Sequence, residues 1–190
     1  IGVLAFRNCS GLTSIEIPDS VNEIGESAFS GCSGLTSIDI PDSVTKIDDI
    51  AFRGCSGLTR IEVSLDNPNY SSENGVLYDK NKTNLKYVPR GIKGDFVIPN
   101  SVTEIEGSAF KDCSGLTSIE IPNSVTEIGE YVFSGCKGLT SINIPSSVTW
   151  IASSSFEDCG SLTRIEVSLD NPNYSSVDGV LYDKSKKELI

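Results

Sequence analysis

The sequence predicts a β-rich solenoid in which short coils stack on one another and share a parallel sheet along one face. Cysteines recur every 23 residues in two groups of three. Each cysteine lies within a motif of the form AFxxCxGLTSIxIPxSVxxI, in which apolar and polar residues alternate as they do in a β-strand. The cysteines are Cys9, Cys32, Cys55, Cys113, Cys136 and Cys159. A unit of 23 residues is too short to bury its own apolar side chains. Neighbouring units must therefore stack.

The elements of one coil follow from the motif in order. Ile38 and Ile40 alternate with polar residues, which is the pattern of a strand with one buried face. Pro41 ends that strand because it has no amide N–H to donate. A second apolar pair, Val44 and Ile47, predicts another wall of the coil.

Two further positions of the motif are expected to lie in the interior. Ala28 and Phe29 predict a short helical or irregular segment that turns inward, and the aromatic position predicts a column of rings. The column contains Phe6, Phe29, Phe52, Phe110, Phe133 and Phe156. The cysteines also share one position. A strand spacing of about 4.8 Å would permit a disulfide, but side chains in register point in parallel, so we expect buried thiols.

Extra residues interrupt the repeat at two corresponding places. The nearest cysteines of the two trios are 58 residues apart, which is two units of 23 plus 12 residues, and the gap hides a further coil at 96–102. Residues 60–84 recur at 164–188 with 20 of 25 residues identical. The interruption therefore belongs to the architecture.

Each interruption is predicted to be a β-hairpin insertion. In the first, Val76–Tyr78 and Leu85–Val88 have strand composition and are separated by a polar turn. We predict one domain over residues 1–190, with insertions near 65–88 and 169–190. Because Ile1–Phe6 begins inside a motif, we expect the sequence to be a fragment of a longer chain.

The motif resembles the bacterial-surface-protein-A (BspA) type of leucine-rich repeat, also called the treponemal type. The similarity covers essentially the whole chain, including the insertion segments Asn67–Tyr78 and Asn171–Tyr182. The resemblance implies a right-handed leucine-rich-repeat solenoid. It also implies a secreted or cell-surface protein of host-associated bacteria, or of some protist parasites, that adheres to host proteins or to other cells. Partner-contacting residues are not part of the family motif, so the resemblance assigns none.

Composition excludes several classes of function. The net charge is −11, with 26 acidic and 15 basic residues, whereas nucleic-acid binders carry a basic stripe. Solubility is the simplest explanation of that charge. No window approaches the run of about 18 apolar residues that a membrane helix needs, so we expect no membrane insertion in this fragment.

The sequence offers little catalytic chemistry. The absence of histidine removes the commonest general base, and no zinc or nucleotide motif is present. Asp66–Asn69 gathers oxygen atoms without the spacing of a calcium loop, so an Asx-turn is the better interpretation. We expect no enzyme activity, no cofactor and no metal site. A hydrolase with paired carboxylates is the formal alternative.

One face of the predicted sheet carries a ladder of acidic residues. Its members are Glu16, Asp39, Glu62, Glu120 and Glu166, with Asn143 in the one remaining position. Arg60 and Arg164 lie beside the ladder in a row that is otherwise serine. Stacked carboxylates about 5 Å apart repel one another, so the ladder favours a basic partner or a loosely held cation. The alternative is a solvated strand face that is tolerated through screening.

Aromatic residues mark the other candidate contacts. Exposed aromatic side chains are favoured at binding hot spots because they combine a large rigid area with a polar tip. The candidates beside the insertions are Tyr78, Tyr87 and Tyr182. Packing of the insertion onto the coils is the alternative, and it is favoured for Tyr70 and Tyr174. Trp150 replaces the polar residue found at Glu127, which makes it a candidate for surface contact.

The sequence thus predicts a non-catalytic adhesion or protein-binding module, secreted or displayed at the cell surface. The favoured partner is a host extracellular or cell-surface protein, and a glycan is the second choice. A structural spacer that projects another domain is the alternative function. An accessory module of a carbohydrate-active protein is a third.

Overall fold

The computed structural model describes residues 1–190 and contains strands and turns but no helix. The chain divides into two compact units, residues 1–92 and 93–190. Each unit is a stack of coils with parallel strands, so the solenoid prediction is confirmed for both. The prediction that residues 1–190 form one domain stays a prediction.

Unit 1 contains two parallel pairs of strands. Its strands are β1 (Glu23–Ile24), β2 (Ser37–Ile40), β3 (Lys46–Ile47), β4 (Arg60–Val63), β5 (Tyr70–Glu73), β6 (Val76–Asp79) and β7 (Asn84–Tyr87). β2 and β4 pair in register, with Ile38 opposite Ile61 and Asp39 opposite Glu62, and β1 pairs with β3. Ile38 and Ile61 are buried whereas Asp39 is exposed, as the alternation predicts.

Unit 2 is built around a four-stranded parallel sheet. Its strands are β8 (Lys93–Val97), β9 (Glu104–Ile105), β10 (Gly115–Glu120), β11 (Glu127–Ile128), β12 (Ser141–Ile144), β13 (Trp150–Ile151), β14 (Arg164–Val167), β15 (Tyr174–Val177) and β16 (Val180–Asp183). The sheet order is β8, β10, β12, β14, and β11 pairs with β13. Phe96 lies opposite Ile119, which confirms the hidden coil at 96–102.

The segment expected to be helical or irregular is a series of turns, so its helical alternative is wrong. The amides of Phe29 and Gly31 donate to Ala51 O (2.9 Å) and Arg53 O (2.7 Å) of the next coil. Because alternate N–H groups bond outside their own coil, the i to i−4 series of a helix cannot form. The residue before each cysteine also has positive φ, which glycine, asparagine and aspartate tolerate best. These residues are Asn8, Gly31, Gly54, Asp112, Gly135 and Asp158.

Each unit contains the predicted column of aromatic rings. In unit 1 the ring centroids of Phe6 and Phe29 are 5.2 Å apart and those of Phe29 and Phe52 are 5.8 Å apart. Tyr87 from the insertion extends this column, 5.8 Å from Phe52. In unit 2 the successive separations are 5.3, 5.3 and 5.7 Å. That column contains Phe96, Phe110, Phe133 and Phe156.

The cysteines are thiols without disulfides, as predicted. The thiol of Cys55 donates to Phe29 O of the preceding coil (3.1 Å), and Cys136 makes the same bond to Phe110 O (3.2 Å). Burial raises the pKa of Cys55 to about 11 and that of Cys136 to about 12. The expected burial is wrong for Cys9, which is exposed, and Cys159 is only half-buried. The buried thiols therefore link coils and are poor nucleophiles.

The insertions form antiparallel sheets. In unit 1, β6 pairs with both β5 and β7, which confirms the predicted hairpin and adds the strand β5, which the sequence analysis left out. β15 and β16 pair in the same way in unit 2. Asn74 and Gly75, with φ of 52° and 80°, form the turn between β5 and β6.

Each insertion also covers the edge of a parallel strand. Ile61 N donates to Gly75 O (2.9 Å), and Val63 N donates to Ser72 Oγ (3.0 Å). In unit 2, Ile165 N donates to Gly179 O (2.8 Å). An uncovered edge would present unpaired backbone groups to another chain. The insertions thus complete the hydrogen bonding of the sheets beside them.

Candidate functional site

The acidic residues of unit 1 line one open groove. Glu16, Asp39 and Glu62 come from three successive coils and share a groove of about 600 Å³ with the half-buried side chain of Ile15. Asp39 and Glu62 are direct neighbours in the register of β2 and β4. The structure therefore brings three of the predicted ladder residues together on one surface.

The three carboxylates differ in their partners. Glu62 Oε1 lies 3.4 Å from Arg60 Nε, and its Oε2 accepts a hydrogen bond from Ser72 Oγ at 3.3 Å. Glu16 and Asp39 have no ion pair. The side of the groove away from the insertion therefore carries the charge that is available to a ligand.

In unit 2 the ladder is interrupted. Asn143 lies opposite Glu166 in β12 and β14, and Glu120 is on the next strand, β10. Glu166 forms an ion pair with Arg164. The ladder residues Glu120 and Glu166 are therefore separated by an amide, unlike those of unit 1.

Trp150 lies in a different sheet from the acidic ladder. It is 46 % exposed and stands opposite Glu127 in the β11–β13 pair. The structure supports its position on the surface but does not place it beside Glu166, which belongs to the sheet of β14. Trp150 thus marks a separate surface.

Two of the aromatic candidates are buried, which corrects the expectation of exposed contacts. Tyr78 is 1 % exposed and Tyr87 is 8 % exposed, and the Tyr87 hydroxyl donates to Phe52 O (3.0 Å). Burial raises the pKa of the Tyr78 phenol. Because the insertion folds over the coils, both faces of β6 are covered. Tyr182 is half-buried on β16.

The other insertion tyrosines pack onto the coils, as favoured from the sequence. The hydroxyl of Tyr70 accepts a hydrogen bond from Ile47 N, and that of Tyr174 accepts one from Ile151 N, both at 2.9 Å. Each hydroxyl thus satisfies an amide at the end of a short parallel pair.

Asn67 organises the turn that precedes β5. The sequence favoured an Asx-turn over a calcium loop for this segment. The buried side-chain amide of Asn67 donates to Pro41 O and Val44 O, both at 2.8 Å, and its oxygen accepts from the amides of Asn69 (3.0 Å) and Tyr70 (2.8 Å). Asn171 makes the same four bonds in unit 2. The Asx-turn prediction is confirmed.

Sequence reasoning missed two exposed leucines. Leu65 and Leu169, each 94 % exposed, occupy the same position of the two insertions. The available signal was an apolar residue within the otherwise polar turn between Ser64 and Asp66.

No group of three or more His, Cys, Asp or Glu side chains is arranged to hold a metal ion. The structure also contains no helix with the length and apolarity needed to cross a membrane.

Comparison with protein families agrees with this geometry. The model of the BspA-type leucine-rich repeat region matches in six copies, over residues 1–89 and 92–179. The chain belongs to the BspA-type leucine-rich repeat family. No curated protein gives a significant match.

Several solved structures resemble this BspA-type chain. A leucine-rich repeat protein from Eubacterium ventriosum is 37 % identical, with a TM-score of 0.78, over 87 % of this chain and 44 % of that one. A leucine-rich cell-surface protein from Faecalibacterium prausnitzii is 27 % identical, with a TM-score of 0.54, over 88 % and 63 %. The pneumococcal vaccine antigen PcpA shares the fold at 23 % identity, with a TM-score of 0.65, over 85 % and 52 %.

The BspA-type chain spans less than two thirds of each of these three proteins. Relatives of the chain include a bacterial cell-surface protein.

Proposed function

We propose that this BspA-type chain is a non-catalytic protein-binding module displayed at a bacterial surface, and that the open face of unit 1 contacts a basic segment of a host protein. The observation that carries the proposal is the groove in which Glu16, Asp39 and Glu62 line up on successive coils. The surface location is supported by the family and by the cell-surface relative.

The groove is suited to contact because two of its three coils are already paired through their backbone. Within β2 and β4 the parallel ladder uses the main-chain groups, so the side chains that project from the open face remain to recognise a partner. Three carboxylates beside the half-buried Ile15 offer both charge and apolar area. Such complementarity contributes most to specificity and to the association rate.

A catalytic function is disfavoured by the same residues. The chain has no histidine, and the groove carboxylates are repeats of one position in an open setting. General acid–base pairs need two environments that hold one group protonated and the other ionised.

The test compares two triple variants with equal charge. E16Q/D39N/E62Q neutralises the groove, whereas D19N/E26Q/D42N removes three exposed acids elsewhere in unit 1. Binding to a panel of purified host plasma and matrix proteins would be measured by surface plasmon resonance at low and physiological salt. We expect the groove variant to bind at least about tenfold more weakly than the wild type, with the control variant unchanged.

Two outcomes would contradict this function. Equal binding by both variants would show that the host protein contacts a surface outside the groove. Absence of binding by the wild type to every protein of the panel would favour the structural spacer.

A further inference from the structure

Unit 2 has a surface outside the acidic ladder that combines two carboxylates with an indole. Glu104, Glu127 and Trp150 occupy one position in three successive coils, each directly before a buried isoleucine. All three side chains are exposed. Glu127 and Trp150 are direct neighbours in the register of β11 and β13.

The two carboxylates border one groove, and Trp150 is on the next strand, opposite Glu127. This groove has a volume of about 470 Å³ and is lined by Glu104, Glu127, Thr103 and Thr126. Since Trp150 follows Glu127 along the same row of side chains, an extended ligand could contact the carboxylates and the indole face together.

In unit 1 the same row of side chains contains both a glutamate and a cation from the chain itself. There the corresponding residues are Glu23 and Lys46, which face each other in the β1–β3 pair. Lys46 Nζ donates to Glu23 Oε1 at 2.7 Å. By the 104-residue offset that relates 60–84 to 164–188, Glu23 and Lys46 correspond to Glu127 and Trp150 of unit 2. Unit 2 therefore has an indole where unit 1 has the cation, and neither Glu104 nor Glu127 has an ion pair.

We propose that Glu104, Glu127 and Trp150 bind a lysine or arginine side chain of a basic protein segment. The bound cation pairs with Glu127 as Lys46 pairs with Glu23 in unit 1, and it offsets the charge of the two carboxylates that line the groove. The face of Trp150 adds a cation–π contact, for which tryptophan is the best of the aromatic residues.

The negative charge of the two glutamates favours a cationic ligand over a neutral sugar. An exposed indole also stacks on a pyranose ring, but stacking would leave two neighbouring carboxylates without a compensating charge. The site lies in a different sheet from the groove of unit 1, so it does not depend on the function proposed above.

Trp150 makes the site directly observable because it is the only tryptophan of the chain. The intrinsic fluorescence would be titrated with tetra-arginine, with its neutral isostere tetracitrulline, and with maltotetraose as a neutral glycan. We expect a saturable change with tetra-arginine alone, weakening as salt is raised.

Variants assign the change to these residues. E127Q and E104Q should each bind tetra-arginine about threefold to tenfold more weakly, whereas E26Q, which removes one exposed charge outside both grooves, should bind like the wild type. W150F, followed by calorimetry, should retain the fold because the side chain is exposed, and should bind more weakly.

The proposal is overturned if E104Q and E127Q bind tetra-arginine as the wild type does, or if tetra-arginine leaves the fluorescence unchanged at low salt. A response to maltotetraose that does not change with salt would identify a glycan site instead. Each of these results is independent of whether the groove of unit 1 binds a host protein.

Discussion

Asn67 is the single residue on which most of the first insertion's local geometry depends. Its side chain satisfies two carbonyls of the preceding coil and two amides of its own turn, and it is completely buried. The arrangement is worth more than one hydrogen bond because the bond to Val44 O is buried and the other three are partly buried, so losing Asn67 leaves several polar groups with poor access to water.

Replacing Asn67 by alanine should therefore lower the free energy of unfolding by about 2–4 kcal/mol. The matched change is Asn69→Ala, which removes one exposed bond to Thr45 O (2.7 Å) and should cost about 0.5–1.5 kcal/mol. Denaturant unfolding of the two variants is the measurement. Equal costs would show that the buried amide contributes no more than an exposed one.

The cysteines give a residue-scale prediction about pH. Burial raises the pKa of the Cys55 and Cys136 thiols, so the folded chain holds these protons more tightly than the unfolded chain does. A raised pKa in the folded state contributes stability that is fully present below the ordinary value of 9.0 and is lost as the pH rises towards about 11 and 12. Stability should therefore fall above pH 9.

Thiol alkylation with iodoacetamide at pH 8 provides the accompanying measurement. Cys9 is exposed and should react first, whereas Cys55 and Cys136 should react only after unfolding in denaturant. Mass spectrometry of tryptic peptides identifies the labelled positions. Rapid labelling of Cys55 in the native protein would disprove the inert, buried column.

At the scale of elements, the coils were predictable and the insertions were predictable only in part. The strands follow from alternation such as that of Ile38 and Ile40, and stacking follows because translation by one repeat places equivalent residues side by side. Tyr78 escaped prediction because both faces of β6 are covered, and alternation cannot show which parts of the chain cover a strand. The turn Asn74–Gly75 was a usable signal for β5, since this dipeptide favours hairpins.

The same turn carries a prediction about the insertion. Gly75 has a φ of 80°, and a Cβ added there would lie 3.1 Å from Arg60 Cα. Gly75→Ala should reduce stability by about 1–3 kcal/mol, because it strains the turn and separates the insertion from β4. Gly179→Ala tests the corresponding position in unit 2, where the distance to Arg164 Cα is 3.2 Å.

Gly11→Ala is the control for both changes. A Cβ at Gly11 would meet no atom within 4 Å, and its φ is not positive. Its effect should stay within about 0.5 kcal/mol. If Gly75→Ala lowered stability as little as Gly11→Ala does, the insertion would have to accommodate the added methyl group without strain.

The charge of the whole molecule sets its response to salt. Acidic residues outnumber basic ones by 26 to 15, while the ion pairs of Lys46 with Glu23 and of Lys82 with Glu73 are partly or largely exposed. Exposed pairs contribute little stability, so repulsion among the excess carboxylates should dominate. Raising the ionic strength from about 0.01 M to 0.15 M shortens the Debye length from about 30 Å to 8 Å and weakens that repulsion.

We therefore expect the free energy of unfolding to increase with salt, by on the order of 1 kcal/mol over this range.

The groove variant E16Q/D39N/E62Q should be more stable than the wild type at low salt, and its stability should depend less on salt, because the folded state alone brings Glu16, Asp39 and Glu62 together. The dispersed variant D19N/E26Q/D42N should show a smaller change. Chemical denaturation with urea, which is uncharged, measures the effect. Stability that falls as salt is added would mean that attractive pairs outweigh the repulsion, and the excess of negative charge would then have no bearing on the fold.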